Sequence, residues 1–482
     1  MKTGRNDPCH CRSGKKYKKC CMAADLTAEQ SRPAKLLRSA ADDWEVVEEK
    51  SADAVLRRPA PLKQPARPDP TPEPLDPKME AINARWEEFD EATEDVRREL
   101  YFKTLDDPEL MDDEMAFEML SRLYASTVKS DERDVWQNMV EQLRTRLPDV
   151  YETGRKYYLG WQITNAIASG RRAPVKLLAL EMAKLAGDDV DLYSNVVDQL
   201  AYHGMLDELS EASRIAWPLI NDSGNIMWGQ SNFAAWGADC VLFERLEQTG
   251  KLSHEDSELM NRLNYYYHDL QLERFSEYVK SISGQSDRTW SLDDFEVSPN
   301  RRQKRTYDDD EYVQGLTSES KSALSGLLDN FVDYARRVEG VQYTKAKLAV
   351  ANIYSYIVER VKGKLEPRQS MLESITNPQQ KTQPKPQPPV HVLCPDRNTL
   401  DRHFAGLLHF MNPQYYDVAA TMELIPAWLR FLESKGLLET DLRESTLKEL
   451  NELRATLLKL FQSDRSDPAL AANLASWNAA AH

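Results

Sequence analysis

The chain has 482 residues, of which 41% are hydrophobic and 29% are charged, and its net charge is −16. The apolar fraction excludes a wholly disordered chain, and the length allows about two to four domains. The acidic balance argues against a protein that covers nucleic acid with its whole surface, although a local basic patch is still allowed. The sequence shows neither an apolar run long enough to span a membrane nor the apolar core of a secretory signal, so we expect a cytoplasmic protein without a membrane span.

Four of the six cysteines lie within the first 21 residues. They form two close pairs, C-x-C and C-C, which are separated by eight residues. In a long chain without a secretory signal, such a cluster indicates a metal site before a disulfide framework. Four thiolates match the tetrahedral sulfur coordination that Zn²⁺ prefers, and they leave no position open for a substrate. The spacing therefore predicts one structural zinc ion, and the alternative is a reduced cysteine cluster without metal.

The run G-R-N-D-P-C-x-C-x-S-G-K-K-Y-K-x-C-C, residues 4–21, resembles the SEC-C motif, which is named after the C-terminal end of the SecA translocation ATPase and recurs in many bacterial proteins. His10 and Arg12 stand where the SecA motif has Pro and Gly. The resemblance implies a zinc knuckle over residues 1–24 that docks onto a chaperone or the ribosome. It does not imply translocase activity, because the sequence contains no motor. The ligand positions of the motif are filled by Cys9, Cys11, Cys20 and Cys21.

This N-terminal segment is also strongly basic. Residues 1–21 carry a formal charge of +6, whereas the remaining residues sum to −22. Bound Zn²⁺ with four thiolates leaves about +4 on the segment. An electropositive tip suits an acidic protein surface or RNA phosphate, and the alternative is that the cations only solvate a small domain. The candidate partner or phosphate contacts are Arg5, Arg12, Lys15, Lys16, Lys18 and Lys19.

Two proline-rich segments divide the chain. Residues 25–78 include a stretch, 59–77, that excludes helix and central strand, so we expect an extended, flexible tether, with a proline-recognition ligand as the alternative. Residues 367–390 are rich in Pro and Gln and form a second predicted linker. A basic run at 301–305 is followed closely by an acidic run at 308–311, and we interpret this region as a solvated loop between domains.

The remainder is predicted to be all-α. Over 79–295, Gly160, Val197 and Ala235 recur at similar helical positions about 37 residues apart, and each is followed by a second helix. This pattern resembles degenerate tetratricopeptide repeats, which implies an α-solenoid with a concave binding face; an irregular helical bundle is the alternative. Residues 296–366 are predicted as a helical extension, with helices over 318–337 and 344–362. Residues 391–482 are predicted as a C-terminal helical unit, with helices over 425–438 and 442–461.

The sequence contains no recognisable catalytic constellation. It lacks a phosphate-binding P-loop, a nucleophile elbow and the kinase motif set. The run 254–258 resembles the metal-binding pattern H-E-x-x-E, but Ser253 and Asp256 indicate a capping box at a helix start instead.

A second zinc site is a further hypothesis. It would be formed by one histidine and one cysteine near residue 391 and by two later histidines. Pro395 and the six-residue spacing of the later histidines argue against it. Cys240 is predicted to be a small buried hydrophobe. The four side chains in question are His391, Cys394, His403 and His409.

We therefore predict a non-enzymatic zinc-binding adaptor. Its basic SEC-C tip would dock onto a chaperone, the ribosome or another acidic or RNA partner, while the helical body binds a second protein. The alternative is a nucleic-acid-binding stress or phage-defence factor that uses the same tip. An enzyme with an unrecognised site in the helical body is a third hypothesis.

Overall fold

The computed structural model describes residues 76–222, 230–267, 275–304, 310–365, 389–409 and 412–477. Within these ranges it contains seventeen α-helices, one short 3-10 helix and one two-stranded antiparallel sheet. The predicted all-α class of the body is therefore confirmed. The predicted knuckle at 1–24, nearly all of the tether at 25–78 and nearly all of the linker at 367–390 lie outside the described residues.

The first five helices build one hydrophobic core. Trp136 donates its indole N–H to the Leu120 carbonyl at 2.9 Å, and the Tyr101 hydroxyl donates to the Met139 carbonyl at 2.9 Å, so large buried side chains also satisfy their polar atoms. The helices are α1 (Pro77–Glu91), α2 (Glu94–Leu105), α3 (Asp113–Lys129), α4 (Arg133–Arg146) and α5 (Pro148–Ala168).

Helix α5 belongs to two cores. Tyr151 and Tyr158 pack into the first core, whereas Leu159 and Ile163 pack into a second core that extends to Trp477. Proline at the first position of this helix fits the helix start, because the missing N–H has no intrahelical partner there. The long helix thus joins the N-terminal helices to the rest of the body.

The predicted period of about 37 residues corresponds to successive helix pairs. Gly160, Val197 and Ala235 each lie in the first helix of a pair. Arg172 and Glu208, on the second helices of neighbouring pairs, form a two-pronged ion pair with distances of 2.8 and 2.9 Å. The identity of these pairs as tetratricopeptide-like repeats remains a prediction. The partner of α5 is α6 (Arg172–Ala183). The second pair is α7 (Val190–Tyr202) with α8 (Leu206–Asp222), and the third pair is α9 (Gln230–Thr249) with α10 (Ser257–Asn264).

The region predicted as a charged loop forms a hairpin instead. Strand β1 (Val297–Lys304) pairs antiparallel with β2 (Asp310–Leu316), and the register places Gln303 opposite Glu311 and Lys304 opposite Asp310. The loop interpretation of this region was therefore wrong outside residues 305–309, which the structure does not describe. The register thus brings the basic run and the acidic run onto two facing strands.

The predicted helical extension at 296–366 was wrong over the two strands, whereas from Ser318 onward the described chain is helical as predicted. The helices predicted over 318–337 and 344–362 are confirmed, and those predicted over 425–438 and 442–461 fall largely within two longer helices. One of the two begins at Tyr415, before the predicted start at 425, and passes through Pro426. The helices are α11 (Ser276–Ile282), α12 (Ser318–Arg337), α13 (Tyr343–Val361), α14 (Arg397–Leu407), α15 (Tyr415–Ser434), α16 (Thr440–Asp464) and α17 (Pro468–Ala475).

The second core unites segments that are distant in sequence. It contains side chains of the helix pairs, of α12 and α13, and of α14 to α17. The Trp428 indole N–H donates to the Leu393 carbonyl at 3.0 Å, and the Thr344 hydroxyl donates to the Ala201 carbonyl at 2.8 Å. The described helices therefore belong to one compact unit. None of the helices in the described ranges is long and apolar enough to cross a membrane.

Candidate functional site

The four predicted zinc ligands and the six predicted basic contacts lie outside the described residues. Their fit to a metal can be judged from donor chemistry. Cys9 and Cys11 supply one pair of sulfur donors, and Cys20 and Cys21 supply the other. Four thiolates are a ligand set that structural Zn²⁺ sites use, and binding would release the thiol protons. The residue types present therefore fit a closed, structural zinc site.

His391 and Cys394, from the second hypothetical zinc set, are engaged in contacts within the body. The Cys394 backbone N–H donates to His391 Nδ1 at 3.0 Å, and His391 Nε2 donates to the Leu437 carbonyl at 2.9 Å. Burial lowers the pKa of His391, which keeps the ring neutral. Cys394 Sγ lies 3.1 Å from the Thr446 hydroxyl, and burial raises the pKa of its thiol. Both groups thus act as structural side chains here.

The two later histidines also have other partners. His403 is buried, its Nδ1 lies 3.1 Å from Glu359, and burial lowers its pKa while Glu359 opposes that shift. His409 Nδ1 accepts from the Asn412 backbone at 3.3 Å. Among the described residues, no group of three or more His, Cys, Asp or Glu side chains is placed to hold a metal. The second-zinc hypothesis therefore finds no ligand group in this part of the chain.

The region around His254 is a turn before a helix. Helix α10 begins at Ser257, and its capping residue is Asp256, whose carboxylate accepts from the Leu259 backbone at 3.1 Å. That hydrogen bond is the main cause of the lowered pKa of Asp256, and Arg245 contributes. Ser253 accepts from the Glu255 backbone at 3.2 Å, so the capping prediction was right about a helix start but wrong about the capping residue.

Cys240 is fully buried in the second core. Burial raises the pKa of its thiol well above the ordinary value, which keeps the sulfur protonated and unreactive. The prediction of a small buried hydrophobe is confirmed.

An open groove of about 510 Å³ lies along α8, α9 and α10. Tyr265 lines it with 44% of its surface exposed, and its hydroxyl donates to the Arg214 carbonyl at 2.8 Å. The ring of Tyr266 lies 5.2 Å from that of Tyr265 at an angle of 88°. Arg262 is paired with Glu244 across the groove. Aromatic edges beside polar groups give a surface that can accept an extended peptide segment.

The Arg214 guanidinium is the groove's exposed cation that has no ion-pair partner within the described ranges. In the sequence, one arginine on an amphipathic helix looks like ordinary surface charge, so nothing there distinguishes this cation from the others. The run Tyr265-Tyr266-Tyr267 was the available signal, since three aromatic residues at a helix end exceed what one buried stripe requires.

Comparison with known proteins identifies one segment of the chain. A family model described as the SEC-C motif matches residues 5–23, which include the four cysteines of the predicted zinc site. No curated protein and no solved structure matches the chain. The sequence-based recognition of the N-terminal segment is therefore confirmed: this chain carries a SEC-C motif, a motif that generally binds zinc.

Proposed function

We propose that this chain is a non-enzymatic zinc-binding adaptor. One structural Zn²⁺ would be held by the SEC-C cysteines, and the metal would fold the short segment, since so few residues cannot build a hydrophobic core of their own. The observation that carries the proposal is the SEC-C match at residues 5–23, with a cysteine at every ligand position. The ligands would be Cys9, Cys11, Cys20 and Cys21.

The SEC-C tip would bind an acidic partner. Its formal charge of +6, against −22 for the remainder, favours a chaperone surface, a ribosomal surface or another acidic or RNA partner in the cytoplasm. Because the attraction is electrostatic, we expect binding to weaken steeply with salt. The contacts would come from Arg5, Arg12, Lys15, Lys16, Lys18 and Lys19.

The helical body would bind a second protein through the groove. Arg214 offers a cation that no described residue pairs with, and Tyr265 offers an exposed ring and a hydroxyl that is hydrogen-bonded to the backbone. These features support an extended, carboxylate-bearing segment of a partner as the occupant. The two surfaces together would make the chain a bridge between two macromolecules.

Metal analysis of the purified full chain tests the zinc site. We expect about one zinc ion per chain for the wild type and none for the double variant Cys20→Ser/Cys21→Ser. The matched control is Cys240→Ala/Cys394→Ala, which removes two buried cysteines and should keep the zinc. Wild-type protein without zinc, or loss of zinc in the control alone, would contradict the proposal.

Affinity capture from cell extract tests the adaptor role, with three full-length baits: the wild type, the double cysteine variant and Arg214→Glu/Tyr265→Ala. We expect the cysteine variant to lose one salt-sensitive set of proteins and the groove variant to lose another. If nuclease treatment removes the first set and the intact chain shifts RNA or DNA in a gel, the nucleic-acid-binding alternative is correct. If both variants keep every partner, the adaptor proposal is wrong.

A further inference from the structure

A cavity of about 190 Å³ lies between α9, α11 and α13, and it shares no lining residue with the groove. Ala238 and Leu242 on α9, together with Phe275, give it apolar walls. An apolar cavity of about 150 Å³ is already large enough for benzene in another protein. The space is thus sufficient for a ligand with one ring or a short aliphatic chain.

One wall of this cavity is charged. Asp239 is only 6% exposed, and its carboxylate accepts a hydrogen bond from the Tyr278 hydroxyl. Lys347 Nζ lies 3.3 Å from the second oxygen of Asp239 and donates to the Tyr278 hydroxyl at 3.2 Å. The same ammonium lies 4.7 Å from the centre of the Tyr278 ring. An acid, a lysine and a phenol therefore converge at one end of an otherwise apolar space.

A second carboxyl group, that of Asp329 on α12, interacts electrostatically with Lys347 and Asp239. It makes no hydrogen bond within the described part of the chain. A buried ion pair is costly, because both of its charges leave water. Above a pH of about 7, where Asp329 is ionised, two carboxylates of the described chain therefore share the one ammonium of Lys347.

We propose that this cavity binds a small organic amine in its ammonium form. The ammonium would hydrogen-bond to Asp239, and the apolar part of the ligand would pack against Ala238, Leu242 and Phe275. The proposal is independent of the adaptor function.

Asp239 has acceptor capacity left for such a ligand. A carboxylate offers about four lone-pair positions, and among the residues that the structure describes only Tyr278 and Lys347 form a hydrogen bond or ion pair with this one. Once ionised, above a pH of about 7, Asp329 gives Lys347 a second negative neighbour, so Lys347 keeps a counter-charge when an incoming ammonium shares Asp239. A ligand carboxylate would meet two acids instead of one, which disfavours it.

The test uses three probes of the same ring size: benzylamine, benzyl alcohol and benzoate. Binding to the full chain is measured by isothermal titration calorimetry and by ligand-observed NMR. We expect benzylamine to bind about 10-fold or more tightly than benzyl alcohol, because its hydrogen bond to the carboxylate is charge-assisted, and we expect no binding of benzoate.

Four variants separate a site from a coincidental cavity. Ala238→Leu fills the space and should abolish binding of both benzylamine and benzyl alcohol. Asp239→Asn should remove the preference for the amine. Lys347→Met removes the resident cation and should strengthen benzylamine binding, a gain that an unfolded variant cannot produce. The matched control is Asp333→Asn, a buried acid on α12 that pairs with Arg337 and does not line the cavity.

Each result has a definite meaning. Preference for the amine that disappears in Asp239→Asn and persists in Asp333→Asn supports the proposal. Equal binding of amine and alcohol, amine binding that survives Ala238→Leu, or weaker amine binding in a folded Lys347→Met variant overturns it. The absence of benzylamine binding at about 10 mM overturns it as well.

Discussion

The buried guanidinium of Arg133 donates to the backbone carbonyl of Arg465 at 2.6 Å, although 332 positions separate the two residues. Arg465 donates in return to the Lys129 carbonyl at 3.1 Å. Arg465 ends α16 in a left-handed conformation, with φ of 56°, which leaves its carbonyl available for this contact. The reciprocal hydrogen bonds tie the first helical core to the last long helix of the body.

Replacement of Arg133 by Met is therefore expected to destabilise the body by about 1–3 kcal/mol, because it leaves buried acceptors without their donor. Arg133 is 6% exposed and also donates to Asn165 Oδ1 at 3.0 Å. The free energy of unfolding is measured by urea titration. The control is Arg144→Met on the same helix, whose side chain is exposed and should cost less than about 0.5 kcal/mol. Equal losses in the two variants would show that the link contributes nothing.

Two glycines with left-handed backbone separate the effect of conformation from that of packing. Gly170 has φ of 67° and open space where a Cβ would lie, so Gly170→Ala should cost about 1 kcal/mol from the backbone alone. Gly204 has φ of 65°, and its Cβ would come within 2.5 Å of the Gln342 side chain. Gly204→Ala should therefore cost more than Gly170→Ala in a urea titration. If the two variants are equally stable, contact with Gln342 does not contribute to the stability loss of Gly204→Ala.

Asp329 should make the free energy of unfolding depend on pH, and the direction of that dependence follows from its pKa shift. Burial raises its pKa from the ordinary value of 3.8 to about 7, with Lys347 opposing the shift and Asp239 adding to it, while Tyr278 also faces this carboxyl. Between these two pKa values the folded state keeps a proton that the unfolded state has lost, so stability falls as pH rises. Asp329→Asn cannot ionise and should gain stability relative to the wild type between pH 5 and about pH 7.5.

That gain is measured as the difference in unfolding free energy between the two proteins at each pH, because other groups cancel in the difference. Asp333→Asn serves as the control, since its carboxylate is paired with Arg337. If the difference in unfolding free energy between the wild type and Asp329→Asn stays constant over this pH range, Asp329 is ionised throughout it.

Thiol reactivity should divide the six cysteines into two classes. Cys240 and Cys394 are buried with raised pKa values, so both should react with Ellman's reagent only after unfolding. If zinc is bound as proposed, the four N-terminal thiols should react slowly until a chelator removes the metal. Rapid reaction of four thiols without chelator would favour the metal-free cysteine cluster. Rapid reaction of all six in the native protein would contradict the observed burial.

The sequence by itself determined the helical class, the helix pairs and the SEC-C segment. Each depends on local information: helical apolar spacing, a recurrence of about 37 residues, and four cysteines within a short run. The apolar stripe on α3 illustrates this, since burial follows from spacing of three and four residues. All four of its members are buried: Met115, Met119, Leu120 and Leu123.

Only the tertiary structure decided which distant polar groups meet. Asp239 and Lys347 lie in helices that look merely apolar with an occasional charge, and the sequence does not say that α9, α12 and α13 bring them beside Asp329. The pairing of strands 297–304 and 310–316 was not predicted for the same reason. Strand pairing depends on which residues of two segments face each other, and a local period in the sequence does not show this. Contacts between distant segments depend on how the helices pack, and that is why the groove and the charged cavity became visible only in the folded chain.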